Sequence, residues 1–215
     1  MQKLKTLDTL FDPDPTYEVF YYRDSSGELR PWDLNETYRR ASELQLEEFV
    51  PPEIRSYFNS ILNLMTFSYY HYGLVAIAAF LATTAVEMAL RTRYPLRDGE
   101  KIGGRDRRSF NRLLQRAVRD GIIREEEFHW LPDARKRHKQ LLEDLERQDG
   151  AEVRFNEEPY TSVLLREMPR MRNYFAHPPD SHVLFTFEMS MGIVQPCSDV
   201  INQLFRERTD EKERK

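Results

Sequence analysis

The sequence predicts an all-α protein, an antiparallel bundle of about five core helices with a small hairpin-plus-helix extension at the N-terminus. Three observations support this prediction. Apolar residues recur at spacings of three and four in several long segments. Only 8 Gly are present against 12 Pro, and a proline in this setting marks an abrupt helix end. Beyond the first 32 residues, no segment alternates between apolar and polar residues as a half-buried strand would.

The first 50 residues form the predicted extension. They contain a β-prone stretch at 17–22, a turn at 24–27 and a second short strand at 28–32. Asn35 is a suitable N-cap for a helix that reaches Glu48, and Pro51 and Pro52 prevent its continuation. We therefore assign residues 1–50 to the extension, residues 51–208 to the helical domain and residues 209–215 to a disordered, charged tail.

The remaining helices follow from the spacing of their apolar residues. We expect helices at residues 54–65, 74–93, 109–119, 133–148, 159–176 and 183–206. The glycines and charges of residues 94–107 predict a mobile loop. Pro169 is expected to kink its helix or to start its last segment, and Pro196 is expected to interrupt the final helix.

The composition indicates a globular protein of a reducing compartment. With 215 residues, 40% hydrophobic and 32% charged, the chain fits one domain with an appendage and excludes collagen-like or wholly disordered proteins. The single Cys197 excludes an internal disulfide and favours a reducing cytoplasm. No charged residue occurs between residues 56 and 86, but only the 13 residues 74–86 are apolar throughout. A run of that length is typical of a buried core helix, so we expect no membrane span.

Motifs of several common enzyme classes are missing. The chain has no G-x-x-x-x-G-K, G-x-G-x-x-G, G-x-S-x-G or H-E-x-x-H pattern, which are the simplest indications of nucleotide, dinucleotide, serine-hydrolase and zinc sites. His177, Asp180 and His182 lie close in sequence, but Pro178 and Pro179 break the helical phasing that would group them around a metal. We therefore expect neither a metal nor a cofactor.

One short segment carries a specific pattern at the predicted end of a helix. Arg172 is followed directly by Asn173, and His177 comes five residues after the arginine. This segment resembles the R-N-x-x-x-H signature of the HEPN superfamily, and residues 87–91, which begin with Glu87, resemble the Glu-rich end of an earlier core helix of that family. The resemblance extends over residues 52–208.

A second arginine and histidine share this spacing. Arg124 stands five residues before His129, but the segment lacks the asparagine and carries three carboxylates that would repel a phosphate. We regard this copy as a decoy.

The resemblance implies a metal-independent ribonuclease of toxin or antiphage-defence type. In that interpretation His177 removes a proton from the ribose 2′-hydroxyl, Arg172 stabilises the phosphate, and Asn173 orients the histidine or the phosphate. Asn173 and His177 share a helix face, whereas Arg172 lies about 140° from His177, so a single helix makes a poor site. The family implies that two copies form a composite site across a two-fold axis. Its implied partners are RNA, a second copy of the chain, and an antitoxin or sensor protein.

A structural interpretation of the same residues stays open. Arg172 would then form a salt bridge with a bundle carboxylate such as Glu87, and His177 would only cap its helix. The domain would be a non-catalytic dimerisation or partner-binding module.

A row of arginines is the candidate RNA-binding surface. They recur at spacings of three and four along the third core helix and the residues before it: Arg105, Arg108, Arg112, Arg116 and Arg119. Such a row is either a solvated helix face or a track for an RNA backbone, and residues 135–139 add a second basic cluster. The net charge of −4 argues against tight nonspecific binding, so any RNA site should be local.

Overall fold

The structure is a computed structural model that describes residues 4–95, 109–149, 158–176 and 185–207. Over these residues the chain is all-α, as predicted, because helices account for 69% of them and the strands form one two-stranded hairpin. The predicted loop at 94–107 and the predicted tail at 209–215 lie wholly or largely outside the described residues.

Seven α-helices and two strands are numbered here in chain order. The strands are β1 (Tyr21–Arg23) and β2 (Leu29–Pro31). The helices are α1 (Leu34–Ser42), α2 (Pro52–Phe67), α3 (Leu74–Arg93), α4 (Phe110–Arg119), α5 (Leu131–Asp149), α6 (Tyr160–Ala176) and α7 (Phe187–Phe205). The bundle itself consists of α2, α3, α4, α6 and α7, which matches the predicted number of core helices.

Helix α3 is the centre of the bundle. It packs most extensively against α7 and α2, and it also contacts α4 and α6. Its buried positions include Ala78, Ala82, Ala85 and Ala89, whose small side chains let neighbouring helices approach closely. Helices α2 and α3 are joined by a short turn, which makes them antiparallel neighbours.

Helix α3 is also long and apolar enough to cross a membrane, and it is the one such helix within the described ranges. Half of its most apolar stretch is buried inside the protein, against the other helices of the bundle. The buried half of this stretch packs as a core helix of the bundle.

Helix α7 runs unbroken through Pro196, so the predicted interruption there is wrong. Proline removes one backbone hydrogen bond and costs about 3 kcal/mol in a helix interior. The residues on both sides of it, including Val194, Cys197 and Val200, are fully buried. Burial of an apolar residue contributes about 1.5–3 kcal/mol, so packing on α3 offsets the cost of the proline. The helix begins at Phe187 rather than 183, with the Thr186 hydroxyl accepting from the Met189 amide at 3.1 Å.

The first strand of the hairpin is shorter than predicted, since it begins at Tyr21 rather than at residue 17. Strands β1 and β2 pair antiparallel with Tyr22 opposite Arg30, and Gly27 supplies the positive φ of 86° that the turn needs. Tyr17, expected in the first strand, instead lies in a 3-10 helix, Pro15–Val19. The Asp14 carboxylate accepts from the Thr16 amide and caps that helix, which turns Tyr17 into the core.

Helix α1 differs from the prediction at both ends. Its N-cap is Asp33 rather than Asn35, since the Asp33 carboxylate accepts from the Glu36 amide at 2.8 Å. It ends at Ser42 rather than Glu48 because side chains of α7 bind the chain that follows. The Ser198 hydroxyl donates to the Leu44 carbonyl, and the Asn202 side chain accepts from the Glu47 amide.

The extension shares the core of the bundle through Asp14, which is 2% exposed. Its backbone amide donates to the Tyr69 carbonyl at 2.8 Å, and its carboxylate accepts from the Tyr72 amide at 2.9 Å. The Tyr17 hydroxyl bonds that of Ser68 at 2.8 Å in the same turn. The turn between α2 and α3 is therefore held by residues of the extension.

Replacing Asp14 by alanine should destabilise the protein by about 2–4 kcal/mol, because the buried Tyr72 amide and the Thr16 amide both lose their acceptor. Urea unfolding followed by circular dichroism measures this change. Asp12→Ala is the matched control, since that side chain is exposed and its loss should cost roughly 0.5 kcal/mol or less. Equal stability of the two variants would contradict this role of Asp14.

Candidate functional site

The motif segment lies at the C-terminal end of α6, which packs against α3 and α4. Leu164 and Met168 are the buried residues of α6. The helix continues through Pro169, so Arg172 is carried on the same helix and does not start a new one.

Arg172 meets Glu87 of α3. One of its terminal nitrogens, Nη2, lies 3.3 Å from Glu87 Oε2, and the side chains are 37% and 15% exposed. A guanidinium has five N–H donors, and this contact uses one of them. The ion pair considered from the sequence is therefore present, and it leaves most of the donor capacity of Arg172 directed elsewhere.

The second oxygen of Glu87 binds another arginine. Arg91, one turn further along α3, donates to Glu87 Oε1 through Nη2 at 2.7 Å and Nε at 3.2 Å. Two guanidinium groups thus share one carboxylate, and the cluster carries a net positive charge. A carboxylate in this position holds the two cations close together while leaving an attraction for an anion.

A third arginine, from α4, contacts the residue that follows the end of α3. The guanidinium carbon of Arg116, on α4, lies 4.4 Å from the centre of the Tyr94 ring, a cation–π contact. Asp120 accepts from the Tyr94 hydroxyl at 3.1 Å and pairs with Arg116 at 3.4 Å. Burial, followed by the nearby Asp120 carboxylate, raises the pKa of Tyr94 to about 12, so the phenol stays protonated near neutral pH.

These contacts align three arginines along the end of α3. Glu87 and Arg91 lie one turn apart on α3, and Tyr94, which contacts Arg116, directly follows the last residue of that helix, about 10 Å from Glu87 along the helix axis. We call Arg172, Arg91 and Arg116 the arginine row. With Glu87 and Asp120 as its two carboxylates, the row keeps one net positive charge.

Of the other two motif residues, Asn173 is described by the structure and His177 is not. Asn173 is exposed, and no hydrogen bond joins its side chain to another described residue. His177 lies outside the described residues, as do Asp180 and His182.

An aromatic cluster fixes the last turn of α6. The Phe175 ring lies 5.0 Å from that of Phe185 and 5.9 Å from that of Phe80, and Tyr174 contacts Phe185 as well. This cluster brings the end of α6 close to the start of the α7 region. The chain before residue 177 and the chain after residue 184 are therefore both anchored to the core.

The basic row predicted on the third core helix is exposed on α4 where it is described. Arg112, Arg116 and Arg119 all face solvent, opposite the buried Phe110 and Leu114. Among the described residues, Arg112 and Arg119 form no ion pair. Arg105 and Arg108 lie outside the described residues.

The decoy copy of the motif has structural roles. Arg124 donates to the Gly121 carbonyl, and its backbone amide donates to the Gln203 side chain. Glu125 pairs with Arg135 at 2.8 Å, and Glu127 pairs with Arg206. These bonds give Arg124, Glu125 and Glu127 structural roles.

Within the described part of the chain, a polar groove of about 480 Å³ lies in the N-terminal extension, away from the motif, and is lined by residues that include Arg23, Asn35 and Arg39. None of the described His, Cys, Asp and Glu residues form a group of three that could hold a metal ion. A groove of about 390 Å³ between α3, α6 and α7 is lined mainly by apolar side chains such as Val163, Met171 and Ile193, which suits no phosphate. Burial also raises the pKa of the Cys197 thiol, which makes it a poor nucleophile.

The sequence analysis did not predict that Arg91 and Tyr94 belong to the site. Arg91 and Tyr94 follow Glu87 at spacings of four and three, and this spacing was the available signal for a shared face. No signal in the sequence placed Arg116 on Tyr94, because that contact joins two helices.

Comparison with known proteins found no relatives: no protein-family model, no curated protein and no solved structure matches the chain.

The Arg172–Glu87 pair should contribute only about 0.5–1 kcal/mol to stability, because the arginine is more than one-third exposed and makes one contact. A double-mutant cycle with Arg172→Gln and Glu87→Gln, measured by urea unfolding, gives this coupling free energy. A coupling above about 3 kcal/mol would contradict the prediction and would mark a buried structural pair.

Proposed function

We propose that this chain is a metal-independent RNA endonuclease of toxin or antiphage-defence type, acting in the cytoplasm, as its resemblance to the HEPN superfamily suggests. The observation that carries the proposal is the arginine row, since it joins the motif residue Arg172 to the basic face of α4. A phosphodiester backbone following that face would reach Arg172.

The proposed reaction is an internal transfer at phosphorus. His177 takes the proton of the ribose 2′-hydroxyl, and the 2′-oxygen forms a bond to phosphorus. The bond to the 5′-oxygen breaks, and that oxygen takes a proton from water. The His177 imidazolium then returns its proton to the solvent. Arg172 stabilises the charge of the pentavalent phosphate, and Asn173 orients His177 or the phosphate. The products are a 2′,3′-cyclic phosphate and a 5′-hydroxyl.

The proposed reaction needs no metal ion to generate or orient the nucleophile. The nucleophile belongs to the substrate, so the protein needs only to align it and to neutralise the developing charge. Arg172 and Arg91 converge on one carboxylate, which supplies local positive charge without closing the site to an anion. Two copies of the motif, facing each other in a homodimer, would add the second arginine and histidine.

A second candidate function has its own observation. The contact between Arg172 and Glu87 is what a non-catalytic HEPN-like dimerisation or partner-binding module requires, because Arg172 then serves the fold. A sensor or antitoxin protein is the partner such a module would bind. Substitution of the motif residues separates the two functions.

His177→Ala should abolish RNA cleavage and relieve any growth inhibition, while leaving the thermal stability nearly unchanged. Arg172→Lys should also lose activity, because lysine keeps the charge but lacks the planar fork that holds two phosphate oxygens. Cleavage of a labelled RNA by purified protein measures both effects. His129→Ala, in the decoy segment, is the matched control and should cleave like the wild type.

Full cleavage by His177→Ala would refute the proposed mechanism. If the wild type cleaves no RNA and His177→Ala disrupts self-association instead, the interaction module is the correct function.

Replacing Arg112 and Arg116 together by glutamate should weaken RNA binding at least tenfold and flatten its dependence on salt, since each lost phosphate contact lowers the slope by about one. Fluorescence anisotropy at several salt concentrations measures the affinity. Arg23→Glu with Arg30→Glu, in the hairpin, makes the same change in net charge away from α4 and should bind normally. Equal loss in both double variants would assign the effect to net charge alone.

A further inference from the structure

Helix α5 stands apart from the bundle over most of its length. Its first residue, Leu131, is buried, and Arg135 ties the first turns to Glu125 at 2.8 Å. From residue 136 to residue 147, no side chain is buried. About three turns of helix therefore contain no buried side chain, although Leu142, Asp144 and Glu146 are only partly exposed.

The exposed part of α5 carries an apolar stripe. Leu141 and Leu145 are one turn apart, and they are 56% and 39% exposed. Leu142 borders them, and Ala134 and His138 continue the same face toward the bundle at intervals of four. Leucines exposed in a row on one helix mark a contact surface rather than a solvated face.

Charges on α5 are separated along its length. The first half holds a basic group: Arg135, Lys136, Arg137 and Lys139. The second half holds an acidic group, in which Arg147 is the one cation: Glu143, Asp144 and Glu146. Positive charge toward the N-terminus and negative charge toward the C-terminus oppose the helix dipole, so this order does not stabilise an isolated helix.

We infer that α5 is a self-association surface, on which a second copy of the chain binds its own α5 in antiparallel orientation. This pairing places the basic half of each helix beside the acidic half of the other and buries the leucine stripes against each other. The two-fold axis passes close to Leu141, which makes the interface isologous. The inference does not depend on the proposed ribonuclease function.

The register follows from the edges of the stripe. At about 100° per residue, Arg137 and Asp144 lie on one edge of the leucine stripe, and Lys139 and Glu146 lie on the other. In an antiparallel pair each edge meets the same edge of the second helix. Arg137 then faces Asp144 of the second copy, which also pairs with Arg147 on its own helix at 3.3 Å. Lys139 faces Glu146 of the second copy, and each pair occurs twice by symmetry.

Charge complementarity selects a second copy as the occupant. An RNA or an acidic membrane surface would attract the basic half of α5 and would be repelled by the acidic half. The charge pattern of α5 is complementary to that of a second, antiparallel α5. Because the contact covers few turns, it is smaller than most stable interfaces, and we expect an association that depends on concentration.

A single cysteine near the axis tests the pairing directly. Leu141→Cys should form a disulfide-linked dimer under mild oxidation, as seen on a non-reducing gel. The native Cys197 is fully buried and does not interfere. Lys136→Cys is the matched control, because it lies on the opposite face of the same helix and should give little disulfide-linked dimer. Equal cross-linking of both variants, or of neither, overturns the inference.

Charge reversal tests the register. Arg137→Glu should weaken self-association in sedimentation equilibrium at least fivefold, and adding Asp144→Arg should restore it. The two positions are seven residues apart, about 10 Å along the helix, so a rescue requires contact between two chains. Lys136→Glu makes the same charge change on the opposite face and should have little effect. Failure of the rescue overturns the inference. So does loss of RNA binding by both single variants at unchanged self-association, because that result assigns α5 to RNA.

Discussion

The arrangement of this protein depends on the burial of α3. Residues 74–86 of α3 contain no charged side chain, so exposure of its buried face to water would be costly. Helices α2, α7, α4 and α6 surround it, and the extension closes the turn before it through Asp14. Burial on this scale also explains how α7 keeps its helix through Pro196.

The candidate site lies at the end of α3 where the uncharged stretch stops. The first charged residue of α3 is Glu87, and from there the helix presents polar groups to its neighbours. Glu87 joins Arg172 of α6 to Arg91, and Tyr94 receives Arg116 of α4. The same contacts hold three helix ends together and gather positive charge beside the motif. Arg172 therefore uses one donor to hold α6 to α3, and this structural contact is compatible with the proposed role of its other donors.

Local patterns predicted the fold well, and long-range contacts account for the errors. Helix α3 was predicted with its observed ends because apolar spacing and the following proline at 95 both act within a few residues. Helix α1 is shorter than predicted because Ser198 and Asn202, about 150 residues away, bind the chain after it. The ion pair between Arg172 and Glu87 was considered from the sequence, whereas the convergence of α3 and α4 on Tyr94 required the structure.

We propose that the motif beside the arginine row cleaves RNA by positioning the substrate's own 2′-hydroxyl. The most direct test is incubation of the purified wild-type protein with end-labelled RNA in excess chelator, followed by analysis of the new ends. We expect cleavage at an undiminished rate, with 2′,3′-cyclic phosphate and 5′-hydroxyl termini. Activity that vanishes with the chelator and returns with a divalent metal, or products that carry 5′-phosphate ends, would contradict it.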